Sequence, residues 1–496
     1  MSRWAGAAIA LLWLGGCATL QDPLRANLSA QSGEVADCAR WFRVLDKHIE
    51  SAGVRDGGEY RIPGFPYLRV DRFLASFRNS VAEGPEFEAW TSRLRGLDRQ
   101  ARAAEVRNLP PSAVGKLSVG QEAAARRTES CADNLMAHDL SRPDTSRLIG
   151  DRAQVPDDYL TWQRALGLYA LTRLPFSLGV EDWQRDAVEK FRRSATGELP
   201  FGKANEYRPP AASDGDDPRT IYERTPVDAL GIRTFSADDV ERLFAWHAPV
   251  IEVEHSGSHD EIGALVWHIG VAPAVDTSVP TVYRKLAFTR YGSQTLVQLV
   301  YVAWFSERPH RNFLDMLAGR LDGIVWRVTL DRHGEPLVYD TIHPCGCFHM
   351  FFPVDGVQPV ASPSKLIEWA FVPAPAPRLA PGERIRVRLQ ARTHYTVGIA
   401  EDNGSGQGQE YRFADYDTLR SLPQDDGFRS VFRPNGLIAG TQRGERTFFW
   451  PMGVPSAGAM RQWGRHPTAF LGRRHFDDAN LIESRFNTGV RSPISQ

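Results

Sequence analysis

The sequence predicts an α+β protein: a helical N-terminal region followed by a β-rich, mainly antiparallel sandwich or distorted barrel. Three observations carry that expectation. Between Cys38 and Arg193 apolar residues recur every three or four positions. Beyond about residue 236 the apolar period falls to two. Between the two, Lys203–Thr220 is rich in Pro, Asp and Ala and poor in apolar residues, which reads as a linker or long surface loop. A chain of 496 residues is long enough for two or three cores, and 42% hydrophobic with 24% charged residues is ordinary for globular proteins. The expected divisions are 1–17, 18–35 as a polar tether, 36–200 as a helical domain, 201–235 as linker and 236–496 as the β-rich domain.

Within the helical region, "DDYLTWQRALGLYAL" places Tyr159, Trp162, Leu166 and Tyr169 at helical spacing, with Asp157 and Asp158 suited to a helix start. "DWQRDAVEKFRR" repeats the pattern with Trp183, Val188 and Phe191. Both stripes are expected to be packing faces. "SADDVERLFAWH" reads as a short helix capped by Ser236, with Asp239 three residues on, and "APVIEVEH" as a strand. "QTLVQLVYVAWF" has the continuous apolar character of a central strand, and "GIVWRVTLDRHGEPLVYDTIH" that of a hairpin turning at "DRHG". In "RIRVRLQAR", Ile385, Val387, Leu389 and Ala391 alternate with polar residues, the mark of a half-buried antiparallel strand. His394, just beyond it, is expected to be solvated.

The first seventeen residues form a separate unit. Arg3 supplies a positive start, Trp4–Leu14 an apolar run too short to span a bilayer, and "LGGC" a run of small residues ending at Cys17. This resembles the lipobox of bacterial lipoproteins. The resemblance covers only Met1–Cys17, and it implies export, acylation of Cys17 and anchoring by acyl chains such as palmitate. Ala18 follows the cysteine where an Asp usually signals inner-membrane retention, so the resemblance implies an outer-membrane protein facing the periplasm.

Formal net charge is −1, which gives no global field to attract nucleic acid. The chain has six lysines and 53 arginines, so an arginine-rich stretch carries less information here than elsewhere. Of five cysteines, four remain after Cys17. In an oxidising compartment Cys38 and Cys131 are expected to pair, leaving Cys345 and Cys347.

Those two lie in "IHPCGCFHMFFP", which sets His343, Cys345, Cys347 and His349 at every second position. On a straight strand all four would share one face, yet His343 and His349 would be roughly 20 Å apart. One ion could collect them only if the chain bent at Pro344 or Gly346. Thiolate and imidazole suit zinc or copper. Three readings follow: a zinc or copper site, with the chemistry of an open metal position left undecided; a thiol–disulfide pair; or buried thiols beside hydrogen-bonded histidines. Further ligands or acid–base groups are sought in "HAPVIEVEHSGSHDE", chiefly His255 and His259. Separately, Arg461, Arg465, Arg473 and Arg474 lie among aromatics and could line a surface for an anion, a glycan or an envelope partner. That is the basis of an alternative, non-catalytic binding or scaffold role.

Overall fold

The computed structural model describes residues 33–117, 119–211, 217–267, 272–425 and 427–488. The expected lipobox, Cys17 and nearly all of the expected tether lie outside the described residues. The chain is 35% helix and 25% strand, with helices towards the N-terminus and mainly antiparallel sheets after them; among the described residues there is no closed barrel. The expected fold class holds, in its open-sheet form.

Helices Gly33–Ala52, Gly84–Arg107 and Gln121–Leu140 pack with the short hairpin Tyr60–Val70 around Phe42, Leu45, Trp90, Leu94 and Leu135. Cys38 and Cys131 are disulfide-bonded across the first and third of these helices, as expected. The loop they close spans 93 residues of sequence, for which chain entropy gives about 4.6 kcal/mol of stabilisation.

The larger sheet has eight strands. Its centre is the strand Gln294–Arg308, paired along one edge with Gly319–Leu330. Its other edge is shared between Thr281–Tyr291 and Ile262–Val266. Gly319–Leu330 pairs with Pro336–Ile342, and that strand with Met350–Pro353, in a meander of hairpins. The central strands are buried on both faces, which is why "QTLVQLVYVAWF" reads as a continuous apolar run. One face carries Leu299, Tyr301, Trp326 and Val328 against a five-stranded sheet, itself built from Thr396–Asp402, Arg384–Leu389, Val250–Glu254, Ala204–Arg208 and Gln409–Glu410. The opposite face carries Val300, Val302, Trp304 and Val325 against the irregular C-terminal segment that includes Phe432, Ile438, Met460 and Phe476.

Local details follow the sequence closely. Ser236 caps the helix Ala237–His247 by accepting from Asp239 N. Ile385, Val387 and Leu389 are buried in strict alternation.

Three expectations need correction. Ala204–Arg208, assigned to the linker, is an inner strand of the five-stranded sheet, and Pro218–Arg224 is a helix. Its five residues are too polar to signal a strand, and the pairing comes from its neighbours. Second, within the mainly antiparallel sheets three pairings are parallel: Arg384–Leu389 with Val250–Glu254, Gln409–Glu410 with Ala204–Arg208, and Arg412–Asp415 with Thr281–Tyr291. Third, the aromatic stripes are only half buried. Tyr159 and Phe191 are in the core, but Trp162, Leu166 and Val188 are exposed. The helix carrying Trp162 stops at Leu166, and Leu168 adopts a left-handed conformation before the long helix Tyr169–Ala195 begins. That break turns the stripe out of phase.

Candidate functional site

"IHPCGCFHMFFP" is the hairpin loop between Pro336–Ile342 and Met350–Pro353. Gly346 N donates to His343 O (2.8 Å) and His343 N to Cys347 O (3.0 Å), closing a tight turn with a glycine bulge. Gly346 has φ +92, and a Cβ there would stand 2.4 Å from the Pro467 carbonyl oxygen. Both facts require glycine. The bend anticipated at Pro344–Gly346 is therefore present.

The bend does not gather the four side chains. His343 still follows the alternation of its strand and faces the five-stranded sheet. There its Nδ1 donates to Asp322 Oδ1 (3.2 Å). Cys345, turned over by the bend, joins the apolar cluster on the opposite face. His349 Nε2 donates to Asp340 Oδ2 (2.8 Å), a carboxylate also held by both ends of the buried Arg327 guanidinium. Each histidine thus serves its own buried carboxylate. Among the described residues no group of three or more His, Cys, Asp or Glu side chains is arranged to hold a metal ion. Burial lowers the affinity of both histidines for protons, His349 to about 3.

The two thiols stay together. The neighbouring Cys347 thiol, opposed by burial and aided by Arg443, lowers the Cys345 pKa. Cys345 in turn, with burial, pushes Cys347 well up. Cys345 is buried and Cys347 partly exposed. Both line a cavity of about 30 Å³ with Gly458 and Phe470. Arg461 Nε donates to the Cys345 carbonyl (3.2 Å), fixing the turn from behind. Glu445 lies near the pair, against Gly458, and burial raises its pKa to about 7.

From His343 a line of hydrogen bonds runs through the protein. Asp322 Oδ2 accepts from His394 Nδ1 (3.0 Å). On the other side of that ring, His394 Nε2 lies 3.2 Å from the His259 carbonyl and 3.3 Å from Asp260 Oδ1. Asp260 accepts in turn from Ser256 Oγ (2.7 Å) and Arg392 N (2.6 Å). His394 has acceptors at both nitrogens, and a neutral imidazole donates only once. It is therefore an imidazolium, and its pKa is raised by Asp260 and Asp322 against the cost of burial. The expectation that His394 is solvated is wrong: the ring is fully buried and stacks on Phe305 at 3.8 Å. Arg443 lies 3.4 Å from Asp322 Oδ1 and further offsets the negative charge.

The stretch containing His255 and His259 reaches the hairpin only through this line. His259 Nε2 contacts Ser256 Oγ (3.1 Å), and His255 Nδ1 contacts Asn205 Nδ2 (3.0 Å), so neither ring approaches the cysteines as a ligand. The four arginines do not form a surface. Arg461 and Arg474 are buried and donate to backbone carbonyls; Arg465 and Arg473 pair with Asp158 and Asp157. They fasten the irregular C-terminal segment, whose carbonyls have few strand partners.

Sequence reading missed Asp322, Asp340, Arg443 and Glu445, and placed His394 in solvent. A signal was available for two of them. Asp322 and Asp340 are carboxylates inside otherwise apolar strands, where a charge is retained only with a buried partner.

No family model matches the chain, and no curated protein or solved structure matches it.

Proposed function

We propose that the chain is an exported, lipid-anchored cell-envelope protein in which Cys345 and Cys347 form a thiol–disulfide pair that reacts with small oxidants. The N-terminal lipobox supports the location, and the Cys38–Cys131 bond suits an oxidising compartment. One observation carries the chemistry: two free thiols on a rigid glycine turn line the same cavity of about 30 Å³, with pKa values driven apart. That volume holds about two water-sized molecules, enough for a peroxide and too little for a protein disulfide.

The reaction balances as follows. The Cys345 thiolate attacks one oxygen of hydrogen peroxide, the O–O bond breaks, and the leaving hydroxide takes up a proton to become water. Cys345 is then a sulfenic acid. The Cys347 sulfur attacks the Cys345 sulfur, the S–O bond breaks, and the departing hydroxyl leaves as water with the Cys347 proton. Two thiols and one peroxide yield a disulfide and two waters; an external dithiol returns two electrons and two protons. A sulfur whose pKa is lowered, beside a resolving thiol, favours this chemistry.

A second reading rests on the same adjacency. The two sulfurs would hold one soft ion, copper(I) before zinc, without help from His343 or His349. Thiol trapping and elemental analysis on chelator-free protein separate the two. Reduced protein that is metal-free and forms the Cys345–Cys347 bond with one equivalent of peroxide supports the first; about one copper or zinc per chain, lost in Cys345→Ser/Cys347→Ser, supports the second.

A further inference from the structure

The long helix Tyr169–Ala195 has two different halves. Its C-terminal half is packed, with Trp183 on Phe348 and Phe371, and Phe191 on Phe352. Its N-terminal half presents Leu171 (64% exposed), Leu174 and Leu178 (62%) to solvent at intervals of three and four, a continuous helical stripe. Trp162 and Leu166 (70%) extend it on the preceding helix.

The apolar surface does not stop at the helix. Trp162 meets Trp450, and Phe176 meets Phe448 and Phe449, at centroid distances of 5.4–5.8 Å. Phe448 and Phe449 then line a groove of about 370 Å³ with Leu314 and Met316. Beside it Phe313 is 92% exposed. Exposed apolar residues gathered in this way, the aromatic ones joined ring to ring, mark an interaction surface rather than scattered surface residues.

We infer that this face rests in the headgroup and upper acyl region of the bilayer that holds the protein's anchor. The inference relies on the anchoring reading proposed above. Fifteen residues lie between Cys17 and Gly33, sixteen steps of chain, with a reach of up to about 55 Å when extended. A body of this size has a radius of gyration of about 23 Å, so such a tether lets the face lie flat on the membrane. Leucines and phenylalanines for the acyl boundary and tryptophan at the edge are the composition of an interfacial surface. The groove beside Phe448 also contains Glu445, placing the dithiol's neighbourhood next to the lipid.

The test uses the chain from position 17 onward with Cys17→Ser, which contains every described residue but has no acyl chain. It is mixed with vesicles of phosphatidylethanolamine and phosphatidylglycerol carrying brominated acyl chains. The expected result is sedimentation with the vesicles and quenching of tryptophan fluorescence, part of which disappears in Trp162→Phe. Leu171→Glu/Leu174→Glu/Leu178→Glu should weaken partitioning at least tenfold with an unchanged circular dichroism spectrum. Absence of quenching, repeated with the full acylated chain in brominated proteoliposomes, would overturn the inference. So would a dimer that forms without lipid and is broken by the triple variant, because a second copy would then cover the face. Intact mass of the full chain isolated from membranes judges the anchor separately. Missing acyl chains sink the anchor reading, whereas acyl chains without quenching sink only this one.

Discussion

His394→Gln isolates the charge at the centre of the buried line. Glutamine keeps a donor that can reach Asp322 or Asp260 but removes the positive charge between them. Both carboxylates are fully buried, so the variant leaves two negative charges with Arg443, 3.4 Å from Asp322, as the nearer remaining cation. Breaking a buried pair by removing one partner costs about 3–5 kcal/mol, and Arg443 places the expected loss near the lower end. A chain of this length unfolding as one unit has a melting entropy of about 1 kcal/mol per K, so Tm falls by about 3 °C. The pH dependence has a definite sign. The folded pKa of His394 is raised, so its stabilisation is fully present below the unfolded value of about 6.5 and is lost as pH rises through the folded value. Urea unfolding of both proteins at pH 6 measures the gap, and nitrogen NMR shows how many ring nitrogens carry protons. A gap under about 1 kcal/mol at pH 6, or a singly protonated His394 ring at pH 7, would refute the reasoning.

Three further outcomes are expected. Cys38→Ala/Cys131→Ala should lose about 4–5 kcal/mol in denaturant unfolding; a loss below about 1 kcal/mol would show that the cross-link does not constrain the unfolded chain. Gly346→Ala adds a methyl 2.4 Å from the Pro467 carbonyl at a φ of +92, so it should destabilise by about 2 kcal/mol or more and slow peroxide oxidation of the thiols; wild-type values for both would remove the turn from the account. Burial holds His349 and His466 neutral down to about pH 3. Between about pH 6.5 and 3 the unfolded chain binds more protons than the folded one, so stability falls as pH falls, by on the order of 2 kcal/mol per histidine at pH 5. Stability unchanged from pH 7.5 to pH 5 would contradict that.

The fold was legible wherever one residue type repeated at a fixed period. The central strand Gln294–Arg308, the hairpin turning at Asp331–Glu335 and the alternation of Ile385, Val387 and Leu389 are all visible as patterns of burial. Ala204–Arg208 was not, because its pairing depends on Val250–Glu254 far along the chain. At the site, the bend was readable from Pro344 and Gly346, but the destinations of the histidines were not. Those depend on Asp322 and Asp340, which a different strand and a cross-strand register bring into reach. His394 shows the same limit. It follows a strand whose polar face is partly exposed, yet it sits at φ +52 in a turn that folds it inward between two carboxylates. Alternation describes a strand, and it ends where the strand ends.

The most direct test of the central claim is a mass measurement on the 343–349 hairpin. Reduced, chelator-free protein is treated with one equivalent of hydrogen peroxide, alkylated without reduction and digested. The peptide bearing Cys345 and Cys347 is expected to lose two hydrogens and take no alkyl group, and Cys345→Ser to remove the effect while leaving Cys38–Cys131 intact. Recovery of both thiols in alkylated form after oxidant would contradict it.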